Sequence, residues 1–245
     1  MSFRVVRCAS NMVISYFDYR YLKPSPHGFP YTADIEPTNR CNFRCGMCQT
    51  SVWNRPRGDM TFDQFRYILD SIPTLLTMQL VGMGEPLLNS DFFKMVDLAK
   101  RRHISVKTTT NGSLLDAERR KELLKSSLRH VDISLDGATA ETYEKLRPGS
   151  CFEKTIENIT QLMVERGSAQ TPHIRVWCVA QQENLEELPK LVELCHKMKV
   201  DNVGIQWLLN NFGITEFEDK SISARRYSRK SDILSSWHRG CCARS

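Results

Sequence analysis

Short apolar, β-branched runs alternate with longer stretches of helical period through most of this chain. The extended runs fall at 31–36, 78–85, 105–111, 130–136, 174–180 and 202–209. Between them, apolar residues recur at helical spacing over 61–72, 91–102, 116–127, 139–147 continued by 152–166, and 185–199. Thr61 followed by Gln64 has the form of a capping box, and Thr139 with Thr142 is a weaker version of it. Strands alternating with helices predict a parallel sheet joined by right-handed crossovers, as an open doubly wound sheet or as a barrel.

Strand parity separates those two. Read with a period of two, one face carries Thr32, Asp34 and Glu36, then Gln79 and Glu85, then Lys107, Thr109 and Asn111. The same face continues with Asp132, Ser134 and Asp136, then Arg175, then Gln206. A parallel sheet covered on both sides by helices reads as unbroken apolar runs, and a closed eight-stranded barrel fills its interior with bulky branched residues. The expected fold is therefore an α/β partial (β/α)6 TIM-like barrel, with parallel strands, helices outside, a polar lumen and an open lateral face.

The carboxyl ends of these strands run into small and polar turns: Gly82-Met83-Gly84-Glu85-Pro86, Thr108-Thr109-Thr110-Asn111-Gly112 and Ser134-Leu135-Asp136-Gly137. In parallel α/β folds the ligand site lies at that rim. The first strand runs into Cys41-Asn42-Phe43-Arg44-Cys45-Gly46-Met47-Cys48, a C-x3-C-x2-C loop. Three thiolates on one short loop can hold three irons of a cubane cluster and leave the fourth open. A closed zinc site takes four ligands, usually as two separated pairs, and no second pair lies beside this loop. Ordinary buried thiols, or a zinc loop completed by a distant histidine, are the plainer alternatives.

Composition narrows the class without changing it. The 245 residues fit one α/β domain. The net charge of +6 is dispersed and lacks an interleaved aromatic pattern, so a nucleic-acid partner is not expected. Nine cysteines, an odd number in a chain too large to need disulfide staples, point to a reducing, cytoplasmic setting. No apolar leader precedes the first strand and no run of 18 apolar residues occurs, so no membrane association is expected. The expected organisation is an N-terminal segment (1–30), the partial barrel (31–212) and a basic tail (213–245). The tail carries the vicinal Cys241 and Cys242, too few and too close to form a further metal site, and it is either a plain basic tail or the start of a truncated extension.

The cysteine loop, the Gly84-Glu85-Pro86 turn, the Thr-Asn-Gly turn and the Ser-x-Asp-Gly strand end together resemble the radical S-adenosylmethionine superfamily. The stretches Ile35-Glu36-Pro37-Thr38-Asn39-Arg40-Cys41-Asn42 and Thr142-Tyr143-Glu144-Lys145-Leu146-Arg147 look most like its SPASM/twitch branch. The resemblance implies a 4Fe-4S cluster on Cys41, Cys45 and Cys48, with S-adenosylmethionine chelating the open iron. It implies cofactor contacts from Gly84 and Glu85 (methionine amino group), Thr110 and Ser134 (carboxylate or ribose), Gln206 and Met47 (adenine), and Arg147 (a carboxylate). Two positions depart from the family pattern: Met47 stands where an aromatic residue is usual, and Met83 where a glycine is.

The implied activity is reductive cleavage to a 5′-deoxyadenosyl radical that takes hydrogen from a peptide or a small molecule such as a sugar. An electron donor such as flavodoxin or ferredoxin would supply the electron. The competing reading is a non-catalytic iron-sulfur or zinc module, or an inactive fragment.

Overall fold

The computed structural model describes residues 3–51 and 54–208. Six parallel strands stand in sequence order: β1 (Thr32–Ile35), β2 (Thr77–Leu80), β3 (Ser105–Thr110), β4 (Leu128–Ser134), β5 (His173–Ala180) and β6 (Asn202–Trp207). Each pairs with the next, and β1 and β6 form the two edges. This is the open partial barrel that strand parity predicts.

Crossover helices lie between the strands: α2 (Phe62–Ser71), α3 (Phe92–Arg101), α4 (Ala117–Lys125), α5 (Ala140–Leu146) with α6 (Phe152–Arg166), and α7 (Leu188–Lys197). The capping box at the start of α2 is present. Thr61 accepts from the Gln64 amide at 3.2 Å, and the Gln64 side chain accepts from the Thr61 amide at 2.9 Å. Thr61→Ala is expected to cost about 1 kcal/mol, read as a lower urea midpoint at unchanged slope.

The core lies between sheet and helices. Ile35, Met78, Leu80, Val106, Val131, Ile133, Ile174 and Val176 turn outward from the strands and are buried against Phe65, Phe92, Met95, Leu123, Ile159 and Leu191 of the helices. The alternate residues line the lumen, with Asp34, Gln79 and Lys107 exposed and Thr109, Asp132, Ser134 and Arg175 half-buried.

Two details differ from the sequence reading. β2 ends at Leu80 instead of running to Glu85, so Glu85 sits in a loop and is almost wholly buried, away from the lumen face. A register shift between Val106 and Lys107 resets β4, pairing Leu128 with Val106 and His130 with Lys107. This β-bulge sends Leu128 into the core although it is two residues from His130, which keeps the lumen parity of Asp132 and Ser134.

The first segment forms α1 (Phe3–Arg20), and it docks by its polar side. Asn11 exchanges two 2.8 Å hydrogen bonds with the Phe29 backbone, and Asp18 accepts from the amides of His27 and Gly28 at 2.7 and 2.8 Å. A cleft of about 650 Å³ between α1 and the start of β1, lined by Asp18, Tyr19, Phe29 and Tyr31, lies at the opposite end of β1 from the cysteine loop. No described helix is long and apolar enough to cross a membrane. The tail with Cys241 and Cys242 lies outside the described residues.

Candidate functional site

The cysteine loop is anchored through its own backbone and through Phe43, which is buried. The Arg44 amide donates to the Pro148 carbonyl at 2.9 Å, and the Cys48 amide closes a turn on the Cys45 carbonyl at 3.0 Å. Asn42 ties the loop to the rim of β3, donating to Ser113 Oγ at 2.9 Å and accepting from Asn111 Nδ2 at 2.8 Å. Between β1 and the cysteine loop, Thr38 donates to Asp59 Oδ1 at 2.6 Å, and Arg40 pairs with both oxygens of Asp59. The three turns singled out in the sequence therefore meet the cysteines at one rim.

Each of the three sulfurs receives a protein donor. The Phe43 amide approaches Cys41 Sγ at 3.4 Å, Thr50 Oγ1 approaches Cys48 Sγ at 3.1 Å, and Arg147 Nη1 approaches Cys45 Sγ at 3.8 Å. Donors directed at sulfur favour the thiolate and raise the potential of a cluster bound there. Without a metal, burial dominates. It raises the pKa of Cys41, and pushes Cys45 up to about 11 against the opposing field of Arg147. Loading metal must therefore expel protons.

The donor set bears on which metal fits. Among the described residues, the trio of ligand atoms lying within 4.8 Å of one another is Glu144, Cys151 and Glu153 on the exterior. The three loop thiols make an all-thiolate donor set, which suits iron-sulfur chemistry.

The Gly84-Glu85 turn packs directly on the loop. The Glu85 amide donates to the Arg40 carbonyl at 2.8 Å. A Cβ on Gly84 would fall 2.2 Å from the Thr38 carbonyl oxygen and 2.6 Å from that of Arg40. Both are main-chain atoms, so no rotamer relieves the overlap. Gly84→Ala is expected to cost about 1–3 kcal/mol by overpacking, seen as a lower thermal midpoint, and to force the turn away from the cysteine loop.

The Glu85 carboxylate accepts from Thr110 Oγ1 at 2.7 Å, the Asn111 amide at 2.7 Å and the Leu87 amide at 3.2 Å. Burial raises its pKa, and these hydrogen bonds and Arg147 oppose the rise. Thr110 lies on the core side of β3 and also accepts from the Gly112 amide at 3.1 Å. Its hydroxyl thus serves the Glu85 clamp, where the sequence reading aimed it at the cofactor. The neighbouring Met83 amide is held by Glu36 Oε1 at 2.7 Å, and Glu36 also pairs with Arg55 at 2.5 Å.

Arg147 is buried, and its guanidinium grips Asp136, with Nε and Nη2 each 2.7 Å from Oδ2. Burial works against its charge, but Asp136, Cys45 and Tyr143 hold its pKa above the ordinary value. Asp136 is fully buried and also accepts from the Val179 amide at 2.8 Å. Strand parity puts Asp136 on the wet face, and the family resemblance pairs Arg147 with a carboxylate of cofactor or substrate; here each has the other as partner, beside Cys45. The Asn184 amide group closes the arrangement, donating to the carbonyls of Asp136 and Val179 at 2.8 and 2.9 Å. The sequence reading missed Asn184 and Asn42, and nothing in their local spacing marks them.

The remaining site residues line the lumen or the loop. Ser134 is half-buried at the end of β4 and its hydroxyl has no hydrogen bond among the described residues. It pairs with Trp177, and Gln206 with Val179, so the two lie one rung apart on the lumen wall. Met47 is half-buried in the turn between Cys45 and Cys48.

Residues 35–195 match the model of the Radical SAM superfamily, and the chain belongs to that family. Its likeness is to members of the SPASM/twitch type. The family uses a 4Fe-4S cluster and S-adenosylmethionine. The chain is 34% identical over 182 residues to the tungsten-containing aldehyde ferredoxin oxidoreductase cofactor-modifying protein of Pyrococcus furiosus, covering 71% of this chain and 51% of that one. It is 32% identical over 146 residues to the mycofactocin maturase MftC of Mycobacterium ulcerans, covering 58% and 40%. Streptococcus suis SuiB, solved with S-adenosylmethionine bound, superposes with a TM-score of 0.69 at 21% identity over 85% of this chain and 48% of that one. The chain thus spans about half the length of these relatives.

Proposed function

We propose that this chain is the catalytic domain of a radical S-adenosylmethionine enzyme acting on a peptide or a small molecule. One observation carries the reading: three thiols on the rim of a polar-lumened partial barrel, each with a protein donor on its sulfur. When bound, the cluster and S-adenosylmethionine supply a 5′-deoxyadenosyl radical, formed by one-electron reductive cleavage, which abstracts hydrogen from the substrate.

Cys41, Cys45 and Cys48 hold the cluster, and Arg147, fixed by Asp136, sets the charge beside Cys45. The main chain of Met83 and Gly84, kept close to the loop by the absence of a Cβ at Gly84, receives the methionine end of the cofactor. Ser134 and Gln206 offer free polar groups to its ribose and adenine, and Met47 covers the adenine by sulfur-aromatic contact. Glu85 and Thr110 act indirectly by clamping the turn to the end of β3. The electron comes from an external donor such as flavodoxin or ferredoxin.

A peptide or small-molecule substrate fits what the relatives are named for. SuiB was solved with the precursor peptide SuiA, and the GTP 3′,8-cyclase of Aliarcobacter butzleri is matched at 30% identity. Anaerobically reconstituted protein given dithionite and S-adenosylmethionine is expected to release 5′-deoxyadenosine. Its absence from protein carrying a full cluster would overturn the assignment.

A further inference from the structure

The lumen wall holds a rung of one lysine and two imidazoles that the cluster chemistry does not use. The registers Gln79↔Lys107, Lys107↔His130 and His130↔His173 set these residues side by side on β2 to β5. His130 has the lumen parity of Asp132 and Ser134, with its core-facing neighbour Val131 buried. The two imidazole rings stand 5.3 Å apart, tilted by 54°.

Asp132 and Asp201, the acids nearest the histidines, are paired with arginines, and Asp34 stands at the far end of the rung beyond Gln79. One rung up, Asp132 is held by Arg175 through both oxygens at 2.7 and 2.5 Å, and Arg175 stacks 4.3 Å over the Trp177 ring. Asp201, which senses His173, is tied to both terminal nitrogens of Arg166 and to the Ile174 amide. Asp34, beyond Gln79, accepts from the Gln79 amide at 3.0 Å. Lys107 has no ion pair among the described residues. His130 reflects the crowding: burial first, then Lys107, His173 and Arg129, lower its pKa against the weaker pull of Asp132. A lysine beside two half-buried imidazoles that can take up protons offers an anion one fixed charge and two hydrogen-bond donors.

We infer that Lys107, His130 and His173 form the seat for an anionic group of the substrate, a carboxylate or a phosphate. The inference rests on the enzyme reading above and adds a substrate class to it. The four residues from Lys107 to Asn111 at the rim span about 13 Å. The substrate is therefore elongated, with its anion at this rung and its reacting C–H bond near the cysteine loop. Because a bound anion favours protonated imidazole, affinity rises as pH falls through the histidine range. The groups facing His130 in that titration are Lys107, His173, Arg129 and Asp132, and those facing His173 are His130 and Asp201.

The reconstituted full chain is titrated with inorganic phosphate and, separately, with succinate, while the histidine C2 protons are followed by NMR. The resonances of His130 and His173, assigned through the His130→Gln and His173→Gln variants, are expected to move saturably and at lower anion concentration at pH 6 than at pH 8. Lys107→Met is expected to raise the half-saturating concentration at least tenfold. Lys100→Met, the same charge change on the outer helix α3, is expected to leave it unchanged. The tighter of the two anions tells phosphate from carboxylate. Shifts that do not saturate, or that survive Lys107→Met, overturn the inference. Formation of 5′-deoxyadenosine by the wild-type chain is measured alongside, so failure of the seat and failure of the enzyme reading give separate results.

Discussion

Cys45→Ala is expected to strip the protein of its iron-sulfur absorption and to lower 5′-deoxyadenosine formation by more than about 100-fold. Altering even the outer partners of a metal ligand typically costs about 10–100-fold in affinity or activity, and this change removes a ligand outright. Cys45 is the central thiol of the loop and the most enclosed, at 9% exposure, and it carries the Arg147 donor. A cluster left with Cys41 and Cys48 would lose that support and open to solvent. The exposed Cys151 is the matched control, and Cys151→Ala should keep both iron and activity. Circular dichroism is expected to show the fold intact in both variants, because Cys45 lies in a loop outside the sheet and its helices.

Asp136→Asn should lower stability by about 3–5 kcal/mol, because it leaves the buried Arg147 charge without its counter-ion. In a domain of this size that is a fall in thermal midpoint of about 10 °C. The carboxylate is fully buried, with Arg147 on one oxygen and the Val179 amide on the other, so no solvent can replace it. Adding Arg147→Met should restore much of the stability, since removing both charges also removes the unmet one. The double variant should not recover the cluster properties of the native protein, because the donor on Cys45 is gone. A single variant as stable as the wild type would show that the pair does not hold β4, α5 and the cysteine loop together.

The parts of the site legible in the sequence are those that lie in contiguous motifs. The cysteine spacing, the Gly84-Glu85-Pro86 turn and the strand ends are local, and the barrel follows from the alternation of Asp34, Gln79, Lys107 and Asp132 with apolar neighbours. What escaped depends on contacts made across the fold. Parity extrapolated past Leu80 puts Glu85 in the lumen, whereas its carboxylate is drawn inward by Thr110 and the Asn111 amide, 25 and 26 residues away. Arg147 finds Asp136 because α5 turns back over the end of β4, a geometry that helical spacing does not encode. Leu128 is turned inward by a bulge, which breaks the parity at the start of β4 without leaving a proline or glycine to mark it. The α1 helix is hidden for a different reason: its docking face is Cys8, Asn11 and Asp18, so a search for an inward apolar stripe passes over it.

The proposed chemistry needs three cysteines holding a cluster with one iron open to S-adenosylmethionine. Electron paramagnetic resonance of the anaerobically reconstituted, dithionite-reduced chain, recorded with and without S-adenosylmethionine, tests this most directly. The predicted result is a reduced 4Fe-4S signal whose g values shift on adding the cofactor, with iron and sulfide present in equal amounts. A protein that takes up zinc in place of iron, or a cluster signal indifferent to S-adenosylmethionine, would contradict it.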